Sequence, residues 1–127
     1  MRRALLWAPA VGYMALIFFA SSVPGDQLPG HFWDKAVHFL VYGVLGALFL
    51  LPATDARLER LGARAAFLGV LYATLYGAFD EIHQSFTPER TPDLHDLLAD
   101  TLGASLGVVV ILAVAAIWKR VHGGAKR

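Results

Sequence analysis

The chain has 127 residues, 57% of them hydrophobic and only 17% charged, with a mean hydropathy of +0.53. This balance excludes an ordinary soluble domain, and a net charge of +1 gives no support to a nucleic-acid partner. The sequence contains no cysteine, which excludes a disulfide framework and a thiolate metal site; any metal would depend on His and carboxylate ligands.

Taken in chain order, the first apolar stretch covers residues 4–20 and follows Arg2 and Arg3. It reads as a helix. The stretch also has the outline of a secretory signal peptide, with Phe18 to Ser22 as the cleavage region, but keeping it gives an even number of spans with both basic termini on one side, which fits better. Pro24-Gly25 and Pro29-Gly30 make the first connection a turn-rich loop. A second span is expected over 35–51, and Pro52 opens a connection carrying Asp55, Arg57, Glu59, Arg60 and Arg64. A third span is expected over 63–84, a loop through Pro88 and Pro92 follows, and a fourth span covers 94–118. Crossing the hydrocarbon takes about 20 residues at about 1.5 Å each, so the second and third helices must continue into their polar flanks.

Charge orients these spans. Counting Lys and Arg on alternate sides places nine with the termini and middle loop, and only Lys35 and Arg90 with the first and third loops. The positive-inside rule then predicts an all-α, antiparallel four-helix membrane bundle, a single domain over 1–127 with both termini cytoplasmic.

The polar residues follow helical spacing. Asp34, His38 and Tyr42 recur at i, i+4 and i+8 on one face of the second span. The third span ends with Tyr76, Asp80 and His83 on one stripe and Gly77, Glu81 and Gln84 on its neighbour. The fourth opens with Asp93, Asp96 and Asp100, below which Gly103 and Gly107 continue the stripe as a small-xxx-small helix contact. The topology puts these clusters at one depth near the extracytoplasmic surface, where they can converge on a single site. Each has a simpler explanation: His38 as a buried imidazole bonded across a helix pair, Asp80 and Glu81 as a solvated helix end, Arg90 and Asp93 as a surface ion pair. Asp100 is harder to explain that way, because it lies inside an apolar stretch where a lone carboxylate is expensive.

The pattern Asp34-Lys35-x-x-His38-Phe39-x-x-Tyr42-Gly43, then Asp80-Glu81-x-His83-Gln84-x-Phe86-x-Pro88-x-Arg90, then Asp96-x-x-x-Asp100-Thr101-x-Gly103-Ala104-x-x-Gly107 resembles the VanZ-like family across the last three spans. The family more often has Asn at position 100 and Gly at position 89. The resemblance implies a multi-pass protein of the bacterial cytoplasmic membrane that acts at the envelope, and its named member raises resistance to the glycopeptide teicoplanin.

Two functions fit these residues, and enzyme status stays open between them. One is a membrane-embedded enzyme acting on a lipid-linked or wall-related amphiphile. Its candidate catalytic residues are Asp34, His38, Asp80, Glu81, His83 and Asp96, its candidate substrate contacts Tyr42, Gln84, Arg90, Asp93 and Asp100, and water its nucleophile. The other is a binding or occluding protein for a lipid-linked wall precursor or lipoglycopeptide, with Phe32, Trp33 and Phe86 on the apolar portion. A proton-coupled carrier ranks last, since four spans leave little room for a path. No cofactor is expected; if a divalent metal binds, His38, His83 and Asp80 are its ligands, although no metal-binding spacing is present. The bilayer is the expected partner.

Overall fold

The computed structural model describes residues 2–28 and 31–123, with the side chains of residues 2, 31–33 and 123 outside the described set. A short turn of helix, α1 (Arg2–Leu5), precedes four long helices, α2 (Ala8–Ser21), α3 (His31–Thr54), α4 (Ala63–Gln84) and α5 (Leu94–Gly123). Among the described residues there is no strand. Four segments, Arg3–Ser21, Asp34–Thr54, Ala63–Gln84 and Leu94–His122, are long and apolar enough to cross a membrane.

Local chemistry sets the helix ends. Pro9 sits in the first turn of α2, where its missing N–H is not needed. The helix closes at Ser22, whose hydroxyl donates to the Phe18 carbonyl at 2.8 Å. Pro52 does not stop α3 at Leu51; the helix runs on to Thr54, whose hydroxyl donates to the Leu50 carbonyl at 2.7 Å. Asp55 and Ala56 then turn left-handed, at φ 53° and 56°, and the Ala56 N–H closes the end on the Leu51 carbonyl at 2.8 Å. Both α3 and α4 continue into their polar flanks. α5 extends past Trp118 because Lys119, Arg120 and His122 keep the helix going after hydropathy has fallen.

The main seam joins α3 to α5 through small residues. A Cβ on Gly103 would run into the Phe39 carbonyl, and one on Gly107 into the Gly43 carbonyl. Gly46 would meet Ala104 Cα at 2.9 Å. In lipid no hydrophobic drive separates helix faces from their surroundings, so this close backbone approach supplies the packing energy instead. The contacts Lys35–Asp96, His38–Asp100, Phe39–Gly103 and Gly43–Gly107 advance together, so α3 and α5 run in the same sense. α4 meets α5 in the opposite sense, through Thr74–Thr101 and Gly69–Val108. The core consists of Tyr42, Leu45, Phe49, Ala73 and Ala104, while Leu40, Phe67, Leu75, Leu98, Leu102 and Leu106 stay exposed, as a lipid-facing surface requires. α2 packs less extensively on α3 and α4, leaving a groove beside it.

Candidate functional site

The starts of α3 and α5 and the end of α4 meet at one end of the molecule, and the third connection folds over them. There His38, 6% exposed, has its Nδ1 2.9 Å from Oδ1 of Asp100, which is fully buried. Gly77 makes room for that carboxylate, since a side chain there would press on it. The His38 ring stacks parallel to Tyr42, with centroids 6.0 Å apart. On its other side, Nε2 lies 4.0 Å from Asp34 Oδ1, beyond hydrogen-bond range.

Two cations bind the helices together around this pair. Lys35 donates to Asp93 at 2.7 Å and to Asp96 at 2.8 Å, tying α3 to the start of α5. Arg90 reaches Asp34 at 3.5 Å and the Val23 carbonyl at 3.4 Å, tying the third connection to the first. Gly25 N–H donates to the Pro88 carbonyl at 3.1 Å, so the two connections form one cap. Glu81 accepts from the Asp93 N–H at 2.7 Å, and Gln84 donates to Asp80 at 3.1 Å. Asp93, ahead of the spanning part of α5, is held well below the usual carboxylate range, first by the Lys35 hydrogen bond and then by donors from His95. Four buried oxygens, on Tyr42, Asp80, Glu81 and Asp100, have no hydrogen-bond partner among the described residues. Such orphans are uncommon and mark strain or an unfilled chemical role.

Two cavities adjoin the cluster. One of about 280 Å³ lies between α2 and α3, apolar along Leu16, Ile17, Ala20, Val37 and Val41 and polar at Asp34, His38, Asp80 and Arg90. The other, about 250 Å³, is polar and lined by Asp34, Gln84, Glu89, Arg90, Asp93 and Asp96. Leu28, Asp34 and Arg90 line both.

Most of the sequence-level candidates gather here: Asp34, His38, Tyr42, Asp80, Gln84, Arg90, Asp93 and Asp96 line one cavity or both. Asp100 and Glu81 lie behind His38, and one carboxylate oxygen of each comes within 4.8 Å of one of its ring nitrogens. His83 does not join them. It stands on the flank of α4 that faces α2, stacked on Phe18 with centroids 4.1 Å apart and 3.0 Å from the Ser22 hydroxyl. The ligand set His38, His83 and Asp80 is therefore not assembled; the sets that are assembled are Asp34, His38, Asp96 and His38, Glu81, Asp100. Arg90 and Asp93 do not pair with each other, because each binds a charge from α3. Phe86 is 82% exposed, and the side chains of Phe32 and Trp33 lie outside the described set.

Sequence reasoning assigned no site role to Lys35, Gly77 or the Val23–Leu28 segment. The turn signal at Pro24-Gly25 marked that segment as a loop, but its contact with Pro88 spans more than sixty residues of chain and leaves no local trace.

An uncharacterized protein of the fission yeast Schizosaccharomyces pombe is 32% identical over 102 residues, covering 80% of this chain; the chain spans about 60% of that protein's length. No solved structure matches. The VanZ/LLP1 family pattern matches residues 6–117, taking in α2, α3, α4, most of α5 and every residue of the cluster. The chain belongs to the VanZ/LLP1 family.

Proposed function

We propose that this protein binds a membrane amphiphile, with an acyl chain in the groove between α2 and α3 and the polar head against Asp34 and Arg90. The observation that carries this reading is the pair of cavities, one apolar and one polar, sharing Leu28, Asp34 and Arg90 at their boundary. A lipid-sized ligand needs such a two-part site, and sites of this kind are apolar with a few placed polar groups. Each cavity, at about 280 and 250 Å³, lies just below the usual range of about 300–1,000 Å³, suited to one chain and one compact head.

In this reading the four spans form an antiparallel bundle with both termini cytoplasmic, as the nine-to-two distribution of Lys and Arg supports. The cavities then open at the extracytoplasmic face of a bacterial inner membrane, where envelope lipids are handled. A fungal relative favours a lipid of general occurrence over one antibiotic. Glycopeptide resistance becomes secondary to lipid binding.

Native mass spectrometry of the detergent-purified protein tests the binding. Wild type carries bound lipid, and Ala20→Trp, which fills the apolar cavity, carries about tenfold less, a loss of about 1.4 kcal/mol. Equal lipid occupancy in the two proteins would reject the site. The cysteine-free chain also permits clean labelling of orientation: an impermeant maleimide applied to intact cells modifies Glu89→Cys and spares Ala56→Cys, and the reverse would invert the topology.

A further inference from the structure

We propose that Asp34, His38 and Asp96 form a divalent-cation site where the two cavities meet. One oxygen each from Asp34 and Asp96 and one nitrogen of His38 lie within 4.8 Å of one another. The imidazole is prepared for the role. His38 Nδ1 lies 2.9 Å from Asp100, so a neutral imidazole that donates from Nδ1 to this carboxylate carries its lone pair on Nε2, the carboxylate–histidine arrangement that orients metal-binding imidazoles. Nε2, on a side chain only 7% exposed, makes no hydrogen bond among the described residues and lies 4.0 Å from Asp34 Oδ1. That distance is too long for a hydrogen bond. It is close to the roughly 3.4 Å that separates two ligands bound at about 2.1 Å around a tetrahedral ion, so a small contraction completes the set.

Charge points the same way. Asp34, Asp80, Glu81, Asp93, Asp96 and Asp100 surround this end, and Lys35 and Arg90 are the cations that face them. Lys35 holds one oxygen of Asp96, and the second makes no hydrogen bond among the described residues. A divalent ion at Nε2 offsets the excess of carboxylate. Because Asp34 and Asp96 also line the polar cavity, its remaining coordination positions open toward a ligand or water. An ion there converts an acidic cavity into one that accepts an anionic head group. One imidazole with two carboxylates suits Zn²⁺ or Mn²⁺.

The test uses full-length protein stripped with a chelator in detergent, with Mn²⁺ and Zn²⁺ as probes and no lipid, so its failure is separate from failure of the amphiphile site. Wild type binds one Mn²⁺ per chain, and pulsed electron paramagnetic resonance shows coupling to one imidazole nitrogen. His38→Gln abolishes that coupling, Asp34→Asn and Asp96→Asn weaken binding at least tenfold, and Asp100→Ala weakens it about 10–100-fold as a positioning residue. His83→Ala binds as wild type does. Helical circular dichroism and a single size-exclusion peak verify folding, and Asp34→Asn, at the half-buried edge, serves if His38→Gln does not fold. No binding of either ion by wild type, nitrogen coupling that survives in His38→Gln, or a Glu81→Gln loss equal to that of Asp96→Asn each overturns the assignment.

Discussion

At the end of the molecule around Asp55, charges sit on the surface: Arg3, 82% exposed, and Arg60 both pair with Asp55, and Lys119 reaches the Leu58 carbonyl. At the opposite end, Asp80, Glu81, Asp96 and Asp100 are all buried between α3, α4 and α5. Exposed pairs of the first kind contribute about 0–1 kcal/mol. Buried carboxylates cost stability unless they are paired, and within a membrane they mark function by default. The same chain thus solves charge in two ways, and the two cavities described adjoin the buried carboxylates.

Breaking the contrast should cost most at Asp100. Asp100→Ala leaves His38 buried without its partner and is expected to lose about 3–4 kcal/mol, while Asp55→Ala loses under about 1 kcal/mol. Thermal unfolding in detergent measures both. Asp100→Asn keeps an acceptor for the His38 Nδ1–H and is expected to remain within about 1 kcal/mol of wild type, in line with the Asn that resembling sequences carry there. If Asn proves as damaging as Ala, the tautomer assigned to His38 is wrong.

Gly107→Leu comes next, at about 2–3 kcal/mol, because its side chain enters the Gly43 backbone across the α3–α5 seam. Gly62→Leu, at the Asp55 end with nothing within 4 Å of the added carbon, meets no clash and replaces only a tolerated N-cap of α4, so it is expected to cost no more than about 1 kcal/mol. Similar losses at both positions would show that the seam is not the tight contact described.

A smaller effect concerns acid. The folded-state pKa of Asp93 is depressed, so its contribution is present above the unfolded value of about 3.9 and disappears as pH falls toward the folded value. The group is more than a third exposed, which screens the pair with Lys35 and keeps the contribution small. Lys35→Met should flatten the acid limb of the stability curve below about pH 4 and leave its shape at neutral pH unchanged. An unaltered acid limb would remove the pair from the account.

The smallest effect is a gain. Glu89 adopts a left-handed φ of 57°, a conformation that costs a residue with a side chain about 1–2 kcal/mol. Glu89→Gly, the residue more frequent in the family at this position, is expected to stabilise by up to about 1 kcal/mol once glycine's greater unfolded-state entropy is counted. A loss of stability would mean that the Glu89 side chain contributes to the polar cavity it lines.

Much of this was legible in the sequence for identifiable reasons. Hydropathy located the four spans, and i, i+4 spacing placed Asp34, His38 and Tyr42 on one face, because both signals are local and periodic. The Gly103 and Gly107 stripe announced a close helix contact. Partners across helices were less legible. Spacing alone put His83 on the Asp80 stripe, but the neighbour on its flank is α2, which gives it Phe18 and Ser22. Likewise, Arg90 and Asp93 are close in sequence, yet α3 presents Asp34 and Lys35 between them, and each takes the opposite charge it meets first. Hydropathy marks the apolar spans and not the helix ends, since α3 runs on to Thr54 and α5 beyond Trp118.

Under the proposed function, one face of this membrane protein holds a lipid chain and the other lipid-exposed faces do not. A diazirine-bearing lipid, photolysed in bilayers containing the protein and mapped by peptide mass spectrometry, reads it directly. Adducts are expected to concentrate at Leu16, Ala20, Val37 and Val41, well above those at Leu106, Val110 and Ile117, which are exposed on α5 away from the cavity. Labelling spread evenly over both sets would contradict it.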